Sequence, residues 1–289
     1  MANLSELIER KSHNDEQWKA QKQAERENAV AMQDAGMAEI GSNPEAYAQY
    51  LDLQGANPAY SPGNIALAML QNPDLTVLGT RERWKSLGRT VKDSESGKGV
   101  QIFARSSFGK GYSLSPAFDI SQTTGRELKQ VVLRDDTKEM EAALTMLLNH
   151  SVVPIKADDS LDVPARYDEG RLELSVNPNV PDSEAFAGIA AEVAHTRFHA
   201  RGANSNYDRA ESELDAQSVS YLLCKRFGVR REMPELSGLA AIYNGWTPQE
   251  IRQALDAVQD MAKTIGGSIE KSIVPQQHTR SQAPRKAAR

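Results

Sequence analysis

The chain has 289 residues, of which 39% are apolar and 25% are charged, and its formal net charge is −5. This composition is ordinary for a globular protein of about two domains, and it excludes a chain that is acidic or basic throughout. One cysteine, Cys224, excludes a disulfide framework. The first residues lack the apolar core of a signal peptide, and no run approaches the roughly 18 apolar residues of a membrane span, so we expect a cytoplasmic protein with no membrane partner.

Charge is distributed unevenly along the chain. Residues 76–134 carry 11 basic and 5 acidic side chains, net +6, whereas residues 135–265 carry 13 basic and 22 acidic side chains, net −9. A basic segment followed by an acidic one indicates two units with different partners, one of which meets phosphates. The predicted division is a polar helical arm at 1–40, a basic unit at 41–135, an acidic unit at 136–270 and a basic disordered tail at 271–289.

The basic unit begins with two helices that follow the same start signal. Asn43 followed by Pro44, and Ser61 followed by Pro62, each place a capping side chain before a proline at the first helical position. A short helix is predicted from Arg81 to a stop at Gly88. The alternating run around 109–111 then predicts a β-hairpin. The unit is therefore predicted to mix helices with a small sheet.

The acidic unit is predicted to be mostly helical. A helix over about 137–149 is followed by two strand-like runs joined by a turn at 168–170. Two further helices are predicted, one ending at Gly202 and one at Gly228, and a Thr247-to-Glu250 capping box opens the last. With a small antiparallel sheet packed against these helices, the overall fold class is α+β.

One stretch of the acidic unit, AAEVAHTRFHARG, nearly matches the zinc-peptidase pattern H-E-x-x-H. In that pattern two histidines four residues apart share one helical face and grip one ion, while the glutamate activates the bound water. Glu192 and His195 match, but Ala191 stands where the first histidine belongs. Three protein ligands and a water form the usual catalytic zinc set, so the loss of one imidazole removes most of the affinity.

Three interpretations remain open for this helix, and the first is classical peptidase chemistry with Glu192 as the base. Glu192, His195 and His199 lie on one face, and with Glu213 or Asp215 from the next helix they would form a rebuilt metal site, with zinc as a possible ion. In that arrangement Glu192 is a ligand and is no longer free as a base. Alternatively, the two histidines are bonded to Glu213 and Asp215 and hold no metal.

The basic segment has the side chains that single-stranded DNA binding requires. Such proteins combine cations that follow the backbone with aromatic faces on which bases stack. The candidate cations are Arg81, Arg83, Lys85, Arg89, Lys92, Lys98, Arg105 and Lys110, and the candidate rings are Tyr60 and Trp84 with Phe103, Phe108 and Tyr112. Trp84 and Phe103 are alternatively core residues. The modest net charge predicts weak, salt-sensitive binding.

The stretches IAAEVAHTRFHARG and RAESELDAQSVSYLLCKRFGV resemble the zincin-type metallopeptidase domain of ArdC-like antirestriction proteins and the related ImmA/IrrE peptidases. This resemblance implies that Glu192 matches the catalytic glutamate, His195 the second histidine ligand and Glu213 the third metal ligand. Ala191 departs from the family pattern at the first ligand, which puts peptidase activity in doubt.

The basic unit resembles the N-terminal single-strand DNA-binding domain of the same ArdC-like proteins. The matching features are Tyr60-Ser61, Asn64, the QNPD run, the W-x-x-L-G-R run that starts at Trp84, and AFDISQTTG at 117–125. The resemblance adds Asn64 to the residues expected at the DNA. Over about residues 40–230 it implies a role with mobile DNA, such as antirestriction or conjugation.

Three functions follow from these features. The first is a single-stranded DNA-binding protein of a mobile element whose zincin-like domain lacks peptidase activity. The second is an active zinc metallopeptidase with a rebuilt site, directed by its DNA-binding domain to a protein substrate. The third is a non-catalytic scaffold that binds a protein partner.

Overall fold

The computed structural model describes residues 3–105, 111–201 and 207–273. Its elements confirm the α+β class, with a mostly helical body and small sheets. The helices are α1 (Leu4–Ser42), α2 (Pro44–Ala56), α3 (Pro62–Gln71), α4 (Arg81–Ser86), α5 (Lys138–Asn149), α6 (Asp182–Arg201), α7 (Arg209–Arg226), α8 (Leu239–Ile242) and α9 (Pro248–Ile273). The strands are β1 (Leu78–Thr80), β2 (Arg89–Val91), β3 (Val100–Arg105), β4 (Tyr112–Asp119), β5 (Thr123–Gly125), β6 (Ile155–Ala157), β7 (Ala165–Asp168) and β8 (Glu173–Val176).

The helix start signals work as the sequence predicts. The Asn43 side chain accepts from the Glu45 N–H, and the Ser61 side chain accepts from the Asn64 N–H. Thr247 and Glu250 form reciprocal capping bonds at the start of α9. These side chains satisfy N–H groups that a helix leaves without an internal partner.

Three small sheets accompany the helices. The first has the order β1-β4-β3 and is antiparallel, which agrees with the predicted hairpin because β3 pairs with β4 from Arg105↔Tyr112 to Val100↔Ala117. The hairpin turn, with Lys110, lies outside the described residues. A two-stranded sheet joins β2 to β5. The third sheet has the order β6-β8-β7.

The third sheet differs from the predicted antiparallel arrangement, because it is mixed. The turn at 168–170 makes β7 and β8 an antiparallel pair, with Asp168 Oδ1 accepting from the N–H groups of Gly170 and Arg171. β6 lies on the other side of β8 from β7, and it runs parallel to β8. β8 is therefore the central strand, and β7 is left with one free edge.

One hydrophobic core joins the two predicted units. It includes Met37 and Ile40 of α1, Tyr50 of α2, Leu223 of α7 and Ile265 of α9. A second, smaller cluster consists of Trp84, Val91 and Phe118 beneath the short strands. None of the helices in the described part of the chain has the length and apolar character needed to cross a membrane. The four-part division of the chain stays a prediction.

The outer edge of β3 is closed by side-chain amides of α3. Asn64 donates to the Phe103 carbonyl and accepts from the Phe103 N–H, both at 2.9 Å. Gln71 makes the same pair of bonds with Gln101, at 2.9 and 2.7 Å. An uncovered strand edge invites pairing with another chain, and here two amides take the place of a partner strand.

We expect Asn64→Ala to lower the free energy of unfolding by about 1–3 kcal/mol, because it leaves the backbone groups of Phe103 without partners. Urea unfolding followed by circular dichroism measures the change. The matched control is Asn14→Ala at an exposed helical position, for which we expect a change within about 0.5 kcal/mol. Equal stability of the two variants would show that the amide bonds contribute nothing net.

Candidate functional site

The two histidines of α6 face the first turns of α7. α7 starts at a capped end, where the Asp208 carboxylate accepts from the N–H groups of Ala210 at 2.7 Å and Glu211 at 3.1 Å. This cap places Arg209 in the first turn of α7, opposite the middle of α6. The candidate site is therefore held by two packed helices and by the neighbouring strand β7.

Glu192, the predicted catalytic glutamate, is buried and fully engaged. Arg209 grips it through two parallel bonds, with Nη2 at 2.6 Å from Oε1 and Nη1 at 3.0 Å from Oε2. The Tyr167 N–H on the free edge of β7 donates to Oε2 at 2.7 Å. Such fork-shaped pairs are among the strongest hydrogen bonds in proteins, so this carboxylate is not available to activate a water.

His195, the predicted second ligand, is completely buried, and both ring nitrogens have partners. Nε2 lies 3.2 Å from Glu213 Oε2, and Nδ1 lies 2.8 Å from the Tyr207 hydroxyl. The hydrogen bond from His195 lowers the pKa of Glu213 to about 2, with help from Gln217 and Arg209. Because Glu213 is ionised, Nε2 of His195 donates to it, and in the neutral ring Nδ1 accepts from Tyr207.

His199 belongs to a cluster of rings beside the ion pair. Its Nδ1 lies 2.6 Å from the Tyr167 hydroxyl, and its ring stacks on Tyr207 with centroids 4.5 Å apart and planes tilted by 11°. Tyr207 also meets the edge of the His195 ring. Tyr207 thus contacts both histidines, and His199 is held by its stacking on Tyr207 and its hydrogen bond with Tyr167.

The structure does not bring Asp215 to this site, which corrects its prediction as a metal ligand. Glu213 and Asp215 are two residues apart on α7 and therefore point to nearly opposite faces. The Asp215 carboxylate lies instead near the buried tyrosines Tyr47, Tyr50 and Tyr243, whose pKa values it raises further. Burial raises the pKa of Asp215 itself to about 7.

The donor set does not fit a three-ligand metal site. Ala191 offers no donor atom, both nitrogens of His195 are occupied, and the Arg209 guanidinium binds Glu192 and lies 3.8 Å from Glu213. Among the residues that the structure describes, no group of three His, Cys, Asp or Glu side chains is arranged to hold an ion. The Arg209 guanidinium lies between the carboxylates of Glu192 and Glu213 and balances their negative charge. In a metal site the ion would have this role.

A cavity of about 640 Å³ opens beside the ion pair. Its walls include Ala191, Glu192, Tyr167, Arg209, Gln217 and Arg231. Arg231 is a further cation here, and its Nη2 donates to the Gln217 side chain. The cavity can accept a polar group beside the engaged glutamate, and the exposed side chain of Glu184 also lines it.

Sequence reasoning did not identify the three residues that complete this network: Tyr167, Tyr207 and Arg209. Arg209 carried a readable signal, since it stands four residues before Glu213 and such pairs meet on a helix. Tyr167 gave no signal of that kind, because it contacts Glu192 and His199 from a strand 25 and 32 residues away, and the contacts of Tyr207 depend on how the chain between α6 and α7 folds back.

Several residues predicted at the DNA instead hold the basic unit together. Trp84 is fully buried and donates to the Phe118 carbonyl at 3.0 Å, so its indole cannot stack on a base. Both atoms of the Asn64 amide are committed to β3. Arg89 donates to Thr123 and to carbonyls around β5, and Arg81 donates to Ser96. Burial or internal bonding therefore corrects the predictions for Trp84, Asn64 and Arg89, whereas Arg81 is exposed and its assignment stays a prediction.

The other predicted residues keep exposed or partly exposed side chains. Arg83, Lys85 and Arg105 are exposed, and Lys98 pairs with Glu95 at 3.0 Å on the surface. Tyr60 is partly buried, and this burial raises its pKa, although the nearby Arg83 opposes the rise. Exposed cations of this kind are free to meet phosphates.

Tyr60 lies in a cleft of about 630 Å³ between the basic unit and the helices α1 and α9. The cleft also contains the rings of Phe103 and Tyr112, and Tyr112 is 59% exposed. Arg26 of α1 lies over the Phe103 ring at 5.6 Å and donates to the Tyr112 carbonyl at 2.8 Å.

The α9 wall of the cleft has mixed charge. Arg252 and Lys263 stand there beside Asp256 and Asp260, so the cleft as a whole is only weakly basic. The cations of α1 and α9 were not predicted as part of a DNA site. They come into the cleft only because both helices fold back over the basic unit.

The fold is that of the ArdC antirestriction protein from the R388 plasmid. The metal-free crystal structure of that protein superposes with a TM-score of 0.51 at 15% sequence identity, covering 83% of this chain and 98% of that one. Its Mn(II)-bound structure gives a TM-score of 0.51 at 16% identity, covering 86% and 99%. No protein-family model and no curated protein matches the sequence. The ArdC-like prediction is thus confirmed at the level of the fold.

The raised pKa of Asp215 predicts an unusual pH dependence of stability. Because the folded protein holds this proton up to about pH 7 and the unfolded chain releases it near pH 3.8, the free energy of unfolding falls as the pH rises between these values. We expect Asp215→Asn to flatten this decline. Urea unfolding at pH 5 and pH 8 measures it, and a wild-type slope equal to that of Asp215→Asn would contradict the prediction.

Proposed function

We propose that this protein is an antirestriction-type protein of mobile DNA that acts by binding single-stranded DNA and not by peptide hydrolysis. The observation that carries the proposal is the Glu192–Arg209 ion pair beside Ala191. It engages the glutamate that the zincin pattern assigns as base and fills the space between Glu192 and Glu213 with a guanidinium. Function must then rest on binding, and the ArdC-like fold supports a role with mobile DNA.

The binding surface in this proposal is the cleft of Tyr60, Phe103 and Tyr112. Aromatic rings give stacking faces to bases without regard to sequence, and each stacked base contributes about 1–3 kcal/mol. Arg26, Arg83 and Arg105 stand near these rings as partners for phosphates. With Asp256 and Asp260 on the opposite wall, the expected affinity is modest and falls steeply with salt.

We expect Tyr112→Ala to weaken binding to a labelled oligothymidine at least about fivefold, because an exposed stacking face is lost. Fluorescence anisotropy at two salt concentrations measures the affinity. Trp246→Ala is the matched control, since Trp246 is an exposed aromatic residue outside the cleft, 44% exposed. Equal losses in the two variants, or none in Tyr112→Ala, would contradict the assignment of the cleft.

The same two variants allow a cellular test of the proposed role. Transfer of a plasmid that carries restriction sites into a restricting recipient is measured with and without the protein in the cell. We expect the wild type and Trp246→Ala to raise the transfer efficiency and Tyr112→Ala to do so less. No gain with the wild type would contradict the antirestriction role while leaving the binding measurement valid.

A second candidate function is a metallopeptidase with a rebuilt site that uses zinc or another ion. Two observations favour it: His195 and Glu213 lie 3.2 Å apart, and a structure of the R388 ArdC protein is described as Mn(II)-bound. For this function Arg209 would have to leave Glu192. A third candidate is a scaffold that binds a protein partner in the cavity beside Arg231.

We expect Ala191→His alone to leave the protein without stoichiometric zinc, because the Arg209 guanidinium still occupies the space between the carboxylates. Ala191→His combined with Arg209→Ala supplies the third donor and removes this cation, and we expect it to bind about one zinc per chain. Metal content of the purified proteins by plasma mass spectrometry measures both.

The remaining variant and the wild type complete this comparison. Arg209→Ala alone tests whether removing the cation suffices, and we expect little zinc because the donor set still lacks a third ligand. If the wild type carries about one zinc per chain, the rebuilt site exists and the second candidate replaces the first. If Ala191→His binds about one zinc per chain while Arg209 is still present, Arg209 does not exclude the ion.

A further inference from the structure

The first half of α1 extends away from the rest of the protein. Every residue from 4 to 24 is exposed, and burial begins only near Ala29. These 21 residues form a free segment roughly 32 Å long. Its side-chain bonds are internal, such as His13 with Gln17 and Lys22 with Glu25. Most helical stability in proteins comes from the packing of one apolar face, and this segment has no such packing against the described part of the chain.

The free segment carries an apolar stripe. Leu4, Leu7, Ile8 and Trp18 are 68%, 50%, 62% and 60% exposed. At about 100° per residue, the four lie within an arc of about 100°. The stripe is in line with Ala29, Gln33 and Ile40, which the same helix buries against α3 and α9.

The stripe therefore continues the face that α1 packs against α3 and α9, and it does so in the part of α1 that has no neighbouring helix among the described residues. Exposing a tryptophan and three large aliphatic side chains along one line of a helix is unusual for a surface that stays in water.

Two charged residues lie at the middle of the stripe. Lys11 and Asp15 fall between Ile8 and Trp18 on the same face. Neither has an ion-pair partner within the described residues. A charged pair in the centre of an apolar seam fixes the register and orientation of paired helices.

The stripe is complementary to itself when two copies run antiparallel. In one register Lys11 of each copy faces Asp15 of the other, and Ile8 of each copy faces Trp18 of the other. The same register sets Leu4 opposite the aliphatic stem of Lys22. The overlap then covers residues 4–22, which is nearly all of the exposed segment, and the two bodies lie at opposite ends of the pair.

We propose that residues 4–24 of α1 bind the same segment of a second copy of this chain in an antiparallel pair. A two-fold symmetric interface requires that when residue i meets residue j, residue j also meets residue i, and this register satisfies that rule for both pairs. The segment has four basic and four acidic residues, so it has no net charge to attract nucleic acid or an anionic membrane.

Sedimentation equilibrium of the full chain over about 1–100 µM tests the proposal, because a short two-helix interface associates in this range. We expect a concentration-dependent dimer for the wild type. Lys11→Asp and Asp15→Lys should each weaken the dimer at least about tenfold, since each sets like charges opposite one another. The double variant Lys11→Asp with Asp15→Lys restores opposite charges and should recover the dimer.

The controls distinguish this interface from any other. Arg10→Asp changes the same charge outside the stripe, about 100° around the helix from Lys11, and it should weaken the dimer far less than Lys11→Asp does. Trp18→Glu should abolish it. A wild type that stays monomeric throughout the range overturns the proposal. A dimer that persists in Lys11→Asp and Trp18→Glu forms through another surface and also overturns it, as does a double variant that stays monomeric.

Discussion

The structure depends on the packing of one helix, α7, against both halves of the chain. One face of α7 meets α6, where the Ser220 hydroxyl donates to the Ala187 carbonyl at 2.6 Å. Another face meets α2, where the Tyr47 and Ser218 hydroxyls lie 3.0 Å apart in the core. α7 is therefore buried nearly all round, and its small residues allow the neighbouring helices to approach. Because α7 contacts both α6 and α2, it fixes the position of the candidate site relative to the N-terminal helices.

The charges of the candidate site follow from this constraint. Glu192 lies under the β7 edge with little access to water, and an unpaired carboxylate there would carry a large desolvation cost. Arg209 reaches it from the first turn of α7, and Glu213, one turn later, balances the guanidinium. The result is a closed network of cation, two carboxylates and a hydrogen-bonded imidazole. The network explains how α6 tolerates alanine at position 191, since its charges are balanced without an ion.

The residues that carry the resemblance to ArdC-like proteins in the basic unit are mostly structural. Asn64 and Gln71 close the edge of β3, and Trp84 fills the small core. Asp119 of the AFDISQTTG run accepts bonds from Thr76, Val77 and Ser121, which ties β4 to β1 and to the following turn. Such residues hold the basic unit together, whereas the exposed rings and cations of the cleft lie at its surface.

The sequence alone determined the longer helices, the caps at Asn43, Ser61 and Thr247, and the fold class, because capping and hydrophobic periodicity act over a few neighbouring residues. It also determined that Ala191 cannot ligate a metal, since that follows from the side chain itself. Only the tertiary structure decided that Arg209 pairs with Glu192, that Asp215 faces the tyrosines and that Trp84 is core. These outcomes depend on which faces of distant helices meet. The cleft between α1, α9 and the hairpin arises for the same reason, because its walls come from distant segments, with Arg26 bonded to Tyr112, 86 residues away, and Gln33 to Arg252, 219 residues away.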